Sequence, residues 1–240
     1  MSQKLVLYSF YRSSCAWRVR IALALKGIEY ECRTINLLKG EQHDDEFHKQ
    51  NPQRYVPALL VNNNNSNNSN DNTSDQRILT QSVAIMEYLD EAFPSTHPLL
   101  PRECPLARAD VRRLSLMIAA DIQPIQNLSV LKCVSDDTIL QNDWGRWVVE
   151  KGLDAVESRL GESAGMYCVG NSVTMADVCL VPQIFNAVRF GVDLRAYPLV
   201  CGVHERLIDL EAFEVAHPSA QPDCPRKEVP RLFRRIRDME

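Results

Sequence analysis

The order of apolar and polar positions divides the chain into two halves of different rhythm. "KLVLYSF" over residues 4–10 predicts a short strand. Residues 15–26 predict a helix with Val19, Ala22 and Leu23 on one face, stopped by Gly27. "EYECRTINL" over 29–37 alternates enough for a second strand. "EQHDDEFHKQ" over 41–50 is polar and predicts a helix, and "NPQRYVPALLV" leads into a third strand from Ala58. "RILT" over 77–80 predicts a fourth strand, followed by a helix over 81–92. The order is βαβαββα within about the first 95 residues, which implies a sheet with helices packed on its faces.

Between the third and fourth strands lies "NNNNSNNSNDNTSDQ", residues 62–76, with eight asparagines and no apolar residue to bury. It predicts a mobile loop, an enlarged hairpin turn, because loop closure costs little more as a loop lengthens. "FPSTHPLLPRECP" then holds Pro94, Pro98, Pro101 and Pro105, a stiff connector. Beyond it strand signals nearly vanish. Helical stretches are predicted over 106–132, 137–162, 174–190 and 199–216, one of them opened by a Thr174/Asp177 capping box. The expected organisation is an α/β domain over 1–93, a proline-rich linker over 94–105 and an all-helical domain over 106–240.

Composition narrows the function classes. Hydrophobic residues make up 45% and charged residues 24%, the balance of a globular protein, and the net charge is −4. That balance argues against a general nucleic-acid binder and leaves room for a small basic pocket facing an acidic substrate. No apolar run reaches the roughly 18 residues that span a bilayer, and the opening "MSQKLVLYSFYR" lacks the core and cleavage site of a secretory signal. A cytoplasmic protein without membrane or nucleic-acid partners is expected. Among eight cysteines there is no C-x-x-C pair and no Cys/His cluster with zinc-ligand spacing, so no metal is expected and the thiols are read as reduced.

The candidate chemistry gathers where the first strand hands over to the first helix, at Ser13, Ser14 and Cys15. A helix start offers free N–H groups and the positive end of the dipole. A thiol of pKa about 8.5 must fall by roughly two units, about 2.7 kcal/mol, to be mostly ionised at pH 7. The dipole supplies about 0.3–1 kcal/mol, up to about 2 when partly buried, and a hydrogen bond to a charged group about 1.5–3. Together they suffice. Taken alone, the same residues also read as an ordinary helix cap beside a small core cysteine.

The whole-chain pattern extends this reading. The βαβαββα order, the proline after "RYV", the "TQS" before the next helix and the helical second half resemble the cytosolic glutathione S-transferases. "SSCAWRVRIALALKG" looks like the signature of their zeta class, as do "NLLKGEQ", "NPQRYVPAL", "QSVAIMEYLDE", "DIQPIQNLSVLK" and "YCVGNSVTMADVCLVPQIFNA". The resemblance runs from about Lys4 to Cys224. It implies a thioredoxin-like first domain and a bound glutathione. By its motifs, Ser13 lies against the glutathione sulfur, with Ser14 and Cys15 completing the site and Cys15 positioning rather than activating. Arg18 and Gln42 match glutathione contacts, Val56 offers its backbone to the cysteinyl part, and Pro57 is expected to be cis. Gln81 and Ser82 match the pair that holds the γ-glutamyl carboxylate, an anion at a helix N-terminus. From the second half, Gln123, Asn127, Leu128 and Ser129 correspond to positions lining the site, although Pro124 also explains a helix bend there. Arg189 matches an arginine expected to meet a substrate carboxylate, and Arg12 lies near the site, where it either helps to hold the substrate or pairs with an acid on the sheet edge.

The activity implied is the glutathione-dependent cis–trans isomerisation of maleylacetoacetate to fumarylacetoacetate, in tyrosine and phenylalanine breakdown, by a homodimer. Transfer of glutathione to small α-haloacids is the expected side activity. Two alternatives stand beside it. One is a thiol–disulfide enzyme of the omega or glutaredoxin type using Cys15. The other is a binding module that has lost its chemistry. The asparagine-rich insertion and the tail beyond Cys224 depart from the family pattern.

Overall fold

The computed structural model describes residues 5–63 and 75–225. The chain forms two compact units. Of the described residues, one unit comprises those up to Thr96 with Ala216–Cys224, and the other His97–Val215 with Pro225.

The first unit is built on β1 (Leu5–Ser9), whose five residues are all buried. A strand with neighbours on both sides and helices on its faces reads as a continuous apolar run, and "LVLYS" is one. The sheet order is β2-β1-β3-β4. Here β2 (Glu31–Thr34) runs parallel to β1, while β3 (Ala58–Asn63) pairs antiparallel with both β1 and β4 (Asp75–Thr80). The helices are α1 (Ser14–Leu25), α2 (Asp45–Gln50) and α3 (Ser82–Ala92), so the βαβαββα order stands. One core cluster packs Tyr8, Phe10, Tyr11, Ala16, Phe47, Val56 and Ala58, with Tyr8 and Phe47 rings 5.5 Å apart.

Boundaries differ from expectation where the ladder or a dihedral decides. The second strand is confined to Glu31–Thr34, because β2 is an edge strand held by β1 alone. The segment 41–50 opens with a 3₁₀ turn, Glu41–His43, and Asp44 in extended conformation separates it from α2. The β3–β4 ladder pairs Asn62 with Gln76 and Asn63 with Asp75, so four residues assigned to the loop belong to the strands. The remainder of that predicted loop, 64–74, lies outside the described residues, as does the tail from 226.

The first helix shows the largest departure. An amphipathic helix buried along one face was expected, yet α1 buries Ser14 and every residue from Ala16 to Leu23, including Arg18 and Arg20. Its second face is covered by the returning segment Ala216–Cys224, which packs in this unit rather than with the helices that precede it. Gly27 stops α1 as expected. At φ 62° it lets Ile28 N–H reach Leu23 O and Gly27 N–H reach Ala24 O, the paired bonds of a Schellman ending.

The second unit is helical: α4 (Pro105–Leu116), α5 (Leu128–Val134), α6 (Thr138–Ser163), α7 (Met175–Arg189), α8 (Pro198–Leu207) and α9 (Glu211–Ala216), the last residue of which falls in the first unit. The stretch 106–132, expected as one helix, is broken. After α4 comes a π turn, Met117–Ile122, in which Gln123 N–H bonds Ile118 O, and Pro124 then ends the run. All of α7 from Met175 to Ala187 is buried. At its start the Asp177 carboxylate accepts from Thr174 N–H, Thr174 Oγ1 and Cys168 N–H at 2.8–3.0 Å. Burial pushes the Asp177 carboxyl up from its usual range, and these donors pull it back. No helix among the described residues is long and apolar enough to cross a membrane.

Candidate active site

In the first unit the expected residues gather at the starts of two helices and on one loop. The chain leaves β1, turns at residues 10–13 with Ser13 N–H bonded to Phe10 O (3.0 Å), and enters α1. Ser13 is the N-cap in extended conformation, and its Oγ accepts from Ala16 N–H at 3.2 Å. That leaves its hydroxyl proton available to an outside acceptor. Ser14 is buried, while Ser13 and Cys15 remain half-exposed, so these two look outward from the helix start.

Arg18 lies one turn further on and is only 1% exposed. Its Nη1 donates to Ser82 Oγ at 3.2 Å and approaches Cys15 Sγ at 4.0 Å. One guanidinium therefore joins the start of α1 to the start of α3. With its acceptor capacity directed at Arg18, the Ser82 hydroxyl is free to donate elsewhere. Nε and Nη2 of Arg18 are buried with no hydrogen-bond partner among the described residues, so the guanidinium leaves a concentrated positive charge beneath this helix start.

Gln81, the N-cap of α3, makes no side-chain cap hydrogen bond and sits at φ 68°, ψ 111°. A non-glycine residue in that region costs of order 1–3 kcal/mol and signals that its surroundings over-determine it. The Gln81 amide Nε2 donates to Gln53 Oε1 at 3.1 Å. Gln53 belongs to a loop organised by buried Asn51, whose Nδ2 donates to Tyr55 O (2.8 Å) and whose Oδ1 accepts from Gln53 N–H (3.1 Å). The loop carries Arg54 at φ 58° and the Val56–Pro57 peptide bond in cis before β3 begins. Asn51 and Gln53 were not expected as site-builders. Their signal in the sequence is only two amide residues flanking Pro52; the turn that uses them is tertiary. Gln42 stands in the 3₁₀ turn with its Oε1 buried and without a partner.

An uncapped helix start, a buried guanidinium behind it and a half-exposed serine at a second helix start fit a ligand with an anionic end and an ionisable thiol, as glutathione has.

Within the second unit, Gln123 and Asn127 are half-buried on the turn between the π segment and α5, and Leu128 and Ser129, the first two residues of α5, are exposed. Buried Gln126, which was not expected, exchanges amide hydrogen bonds with Gln183 of α7 at 3.1 and 3.3 Å and so anchors that turn after Pro124. Arg189 is the exposed last residue of α7, its guanidinium 5.2 Å from the Phe190 ring. Arg12, in the first unit, is half-buried just before Ser13.

Comparison with known proteins is consistent with this geometry. Residues 7–97 match the glutathione S-transferase N-terminal domain. The chain is 50% identical over 224 residues to maleylacetoacetate isomerase of Mus musculus, covering 92% of this chain and 96% of the mouse protein. The maleylacetoacetate isomerase of Anaeromyxobacter dehalogenans, in a crystal structure with glutathione in its active site, is 40% identical with a TM-score of 0.83, over 93% of this chain and 99% of that one. A bacterial maleylpyruvate isomerase described as a zeta-class glutathione S-transferase is 38% identical with a TM-score of 0.82, over 92% of this chain and all (100%) of that one. On identity of this extent, together with the shared fold, the chain belongs to the zeta class of the glutathione S-transferases, the family of the maleylacetoacetate isomerases.

Proposed function

We propose that this protein is a glutathione-dependent isomerase that converts maleylacetoacetate to fumarylacetoacetate. The observation that carries the reading is the pairing of two helix starts through Arg18: Ser13 opens α1, Ser82 opens α3, and one guanidinium ties them. When bound, glutathione supplies a thiolate nucleophile whose reversible addition to a conjugated cis double bond permits rotation. The chain's own residues do the rest. Ser13 donates its hydroxyl hydrogen to the sulfur, and the dipole of α1 favours the ionised form there. Ser82 and the first N–H groups of α3 hold the γ-glutamyl carboxylate, with Gln81 held in place by Gln53. Arg18 acts through Ser82 rather than by open contact. Val56 presents its backbone to the cysteinyl part, and Gln42 adds a weaker polar contact. Arg12 supplies cationic anchorage for the substrate's carboxylates. In the helical unit Arg189 is carried as a substrate-carboxylate position, and Gln123, Asn127, Leu128 and Ser129 as glutathione-facing positions, by their match to the family motifs.

The redox alternative centred on Cys15 is not favoured, because relatives spanning nearly the whole chain carry isomerase names. A first domain over 1–93, a linker over 94–105 and a helical domain from 106, corrected by the return of Ala216–Cys224 to the first unit, belong to the same proposal, as do a cytosolic homodimer, a place in tyrosine and phenylalanine breakdown and a side activity on α-haloacids. Light scattering on the purified protein tests the dimer.

The deciding experiment is isomerisation of maleylacetone with and without glutathione, on wild type and Ser13→Ala. Wild type is expected to require glutathione. The variant is expected to lose about 10²-fold in kcat and to raise the midpoint of the bound-thiol ultraviolet titration by one to two pH units, the worth of one hydrogen bond to a charged group. Isomerisation independent of glutathione would overturn the function. Unchanged activity in Ser13→Ala would overturn only the role of that serine.

A further inference from the structure

The chain returns to its first unit long after leaving it, and the contacts of the returning segment converge on the turn that leads into Ser13. Arg20, in the middle of α1, is 1% exposed. Its Nε donates to Ala216 O (3.1 Å), Nη1 to Ser9 Oγ (3.0 Å) and Phe10 O (3.3 Å), and Nη2 to Tyr11 O (2.9 Å). The Phe10 carbonyl that Arg20 holds is the one that accepts the Ser13 N–H. At the far end of the segment, Asp223 Oδ2 accepts from Tyr11 N–H at 2.9 Å. Between them His217 meets the Trp17 ring edge-on, centroids 5.3 Å apart at 89°.

We propose that Ala216–Cys224 is a strap that positions the Ser13 turn, with Arg20 as its buried clamp and Asp223 as its outer tie; the inference rests on the reading of Ser13 as the residue that holds the thiolate.

The chemistry of Arg20 supports this. Among the described residues its guanidinium donates to three carbonyls and a hydroxyl. A buried arginine of this kind is an expensive way to fill space, since an apolar side chain of the same volume would pack with less desolvation. Its five donors in a rigid fork suit it instead to fixing several backbone carbonyls at once. Burial lowers its pKa to about 10, which leaves it charged at neutral pH. The turn from Ser9 to Ser13 is thereby held from two sides, by α1 itself and by a segment two hundred residues away in the chain. Positional error is costly at a catalytic hydroxyl: about 1 Å of displacement can cost about 10²-fold in rate. Arg20 and Asp223 touch neither ligand nor substrate and are positioning residues.

The test uses the full-length protein with Asp223→Ala, Arg20→Lys and Arg20→Met. Amide hydrogen exchange at Tyr11 and Ser13 is followed in the ligand-free protein. The ultraviolet titration of bound glutathione and the kcat and glutathione KM with maleylacetone are then measured. Asp223→Ala is expected to speed exchange at both amides at least tenfold, to raise the thiol midpoint, and to lower kcat about three- to tenfold while KM stays within twofold. Arg20→Lys, which keeps the charge and loses the fork, should behave likewise, and Arg20→Met more severely. Should Arg20→Met fail to fold, the other two variants carry the test. The strap is refuted if Asp223→Ala and Arg20→Lys leave Ser13 exchange, thiol midpoint and kcat at wild-type values. If wild type itself shows no lowered thiol midpoint, the assignment of Ser13 fails, and the exchange measurements still decide whether the segment holds the turn.

Discussion

Single residues show where the site stores its constraint. Gln81 occupies φ 68° without being glycine, and its amide is tied to Gln53. Relieving that backbone strain and binding the ligand pull in opposite directions. Gln81→Gly is therefore expected to leave thermal stability unchanged or raised, since glycine enters positive φ freely. It should raise the glutathione KM about tenfold by removing the amide and loosening the start of α3. Thermal melts and glutathione saturation curves check the two halves separately. A loss of stability with KM intact would mean that the Gln81 conformation serves folding and not binding.

At the scale of elements, helix starts and close approaches do the positioning. The N-termini of α1 and α3 are read by chemistry, and Arg18 fixes their relation. In the second unit the π turn Met117–Ile122 lies against α6 so closely that a Cβ placed on Gly152 would overlap the Ile122 side chain. The glycine permits the approach, and the approach sets the turn that carries Gln123 to Ser129. Gly152→Ala is expected to cost about 1–3 kcal/mol by overpacking, although alanine favours helix over glycine by about 1 kcal/mol. Denaturant unfolding would show it as a lowered midpoint at constant slope. A stabilised variant would mean that Ile122 has room to move aside.

For the whole molecule, two half-buried imidazoles set a limit in acid. Burial lowers His204 to about 4, and burial with the nearby Arg20 charge lowers His217 to about 4, against an ordinary value of 6.5. A histidine depressed in the folded state binds fewer protons there than when unfolded. Its neutral form is fully compatible with the fold above pH 6.5, and stability is lost as pH falls from 6.5 towards 4. The slope is at most about 1.4 kcal/mol per pH unit per ring, and smaller where a ring is partly solvated. Melting temperature is expected to fall through that window, and His204→Gln should flatten the fall. An unchanged slope in the variant would exclude His204 as a contributor.

Much of this was legible in the chain itself because it is local. Strand and helix order, the Gly27 stop, the capping pair Thr174/Asp177 and the clustering of Ser13, Ser14 and Cys15 at a helix start follow from periodicity and backbone preference over a few residues. The polar ends of the β3–β4 ladder and the π turn after Leu116 were not legible, since pairing and packing overrode composition there, whereas the bend at Pro124 was. Nor was the burial of Arg18 and Arg20. The helix pattern puts Val19, Ala22 and Leu23 on one face, the family motif makes Arg18 a glutathione contact, and neither marks Arg18 or Arg20 as buried. Arg18 is sealed by the start of α3, and Arg20 by a segment that begins 196 positions later in the chain. Sequence by itself determined which residues could do the chemistry, because capping and helix dipoles act over one turn. Only the tertiary structure decided which charges face inward, because desolvation depends on what the rest of the chain lays over them.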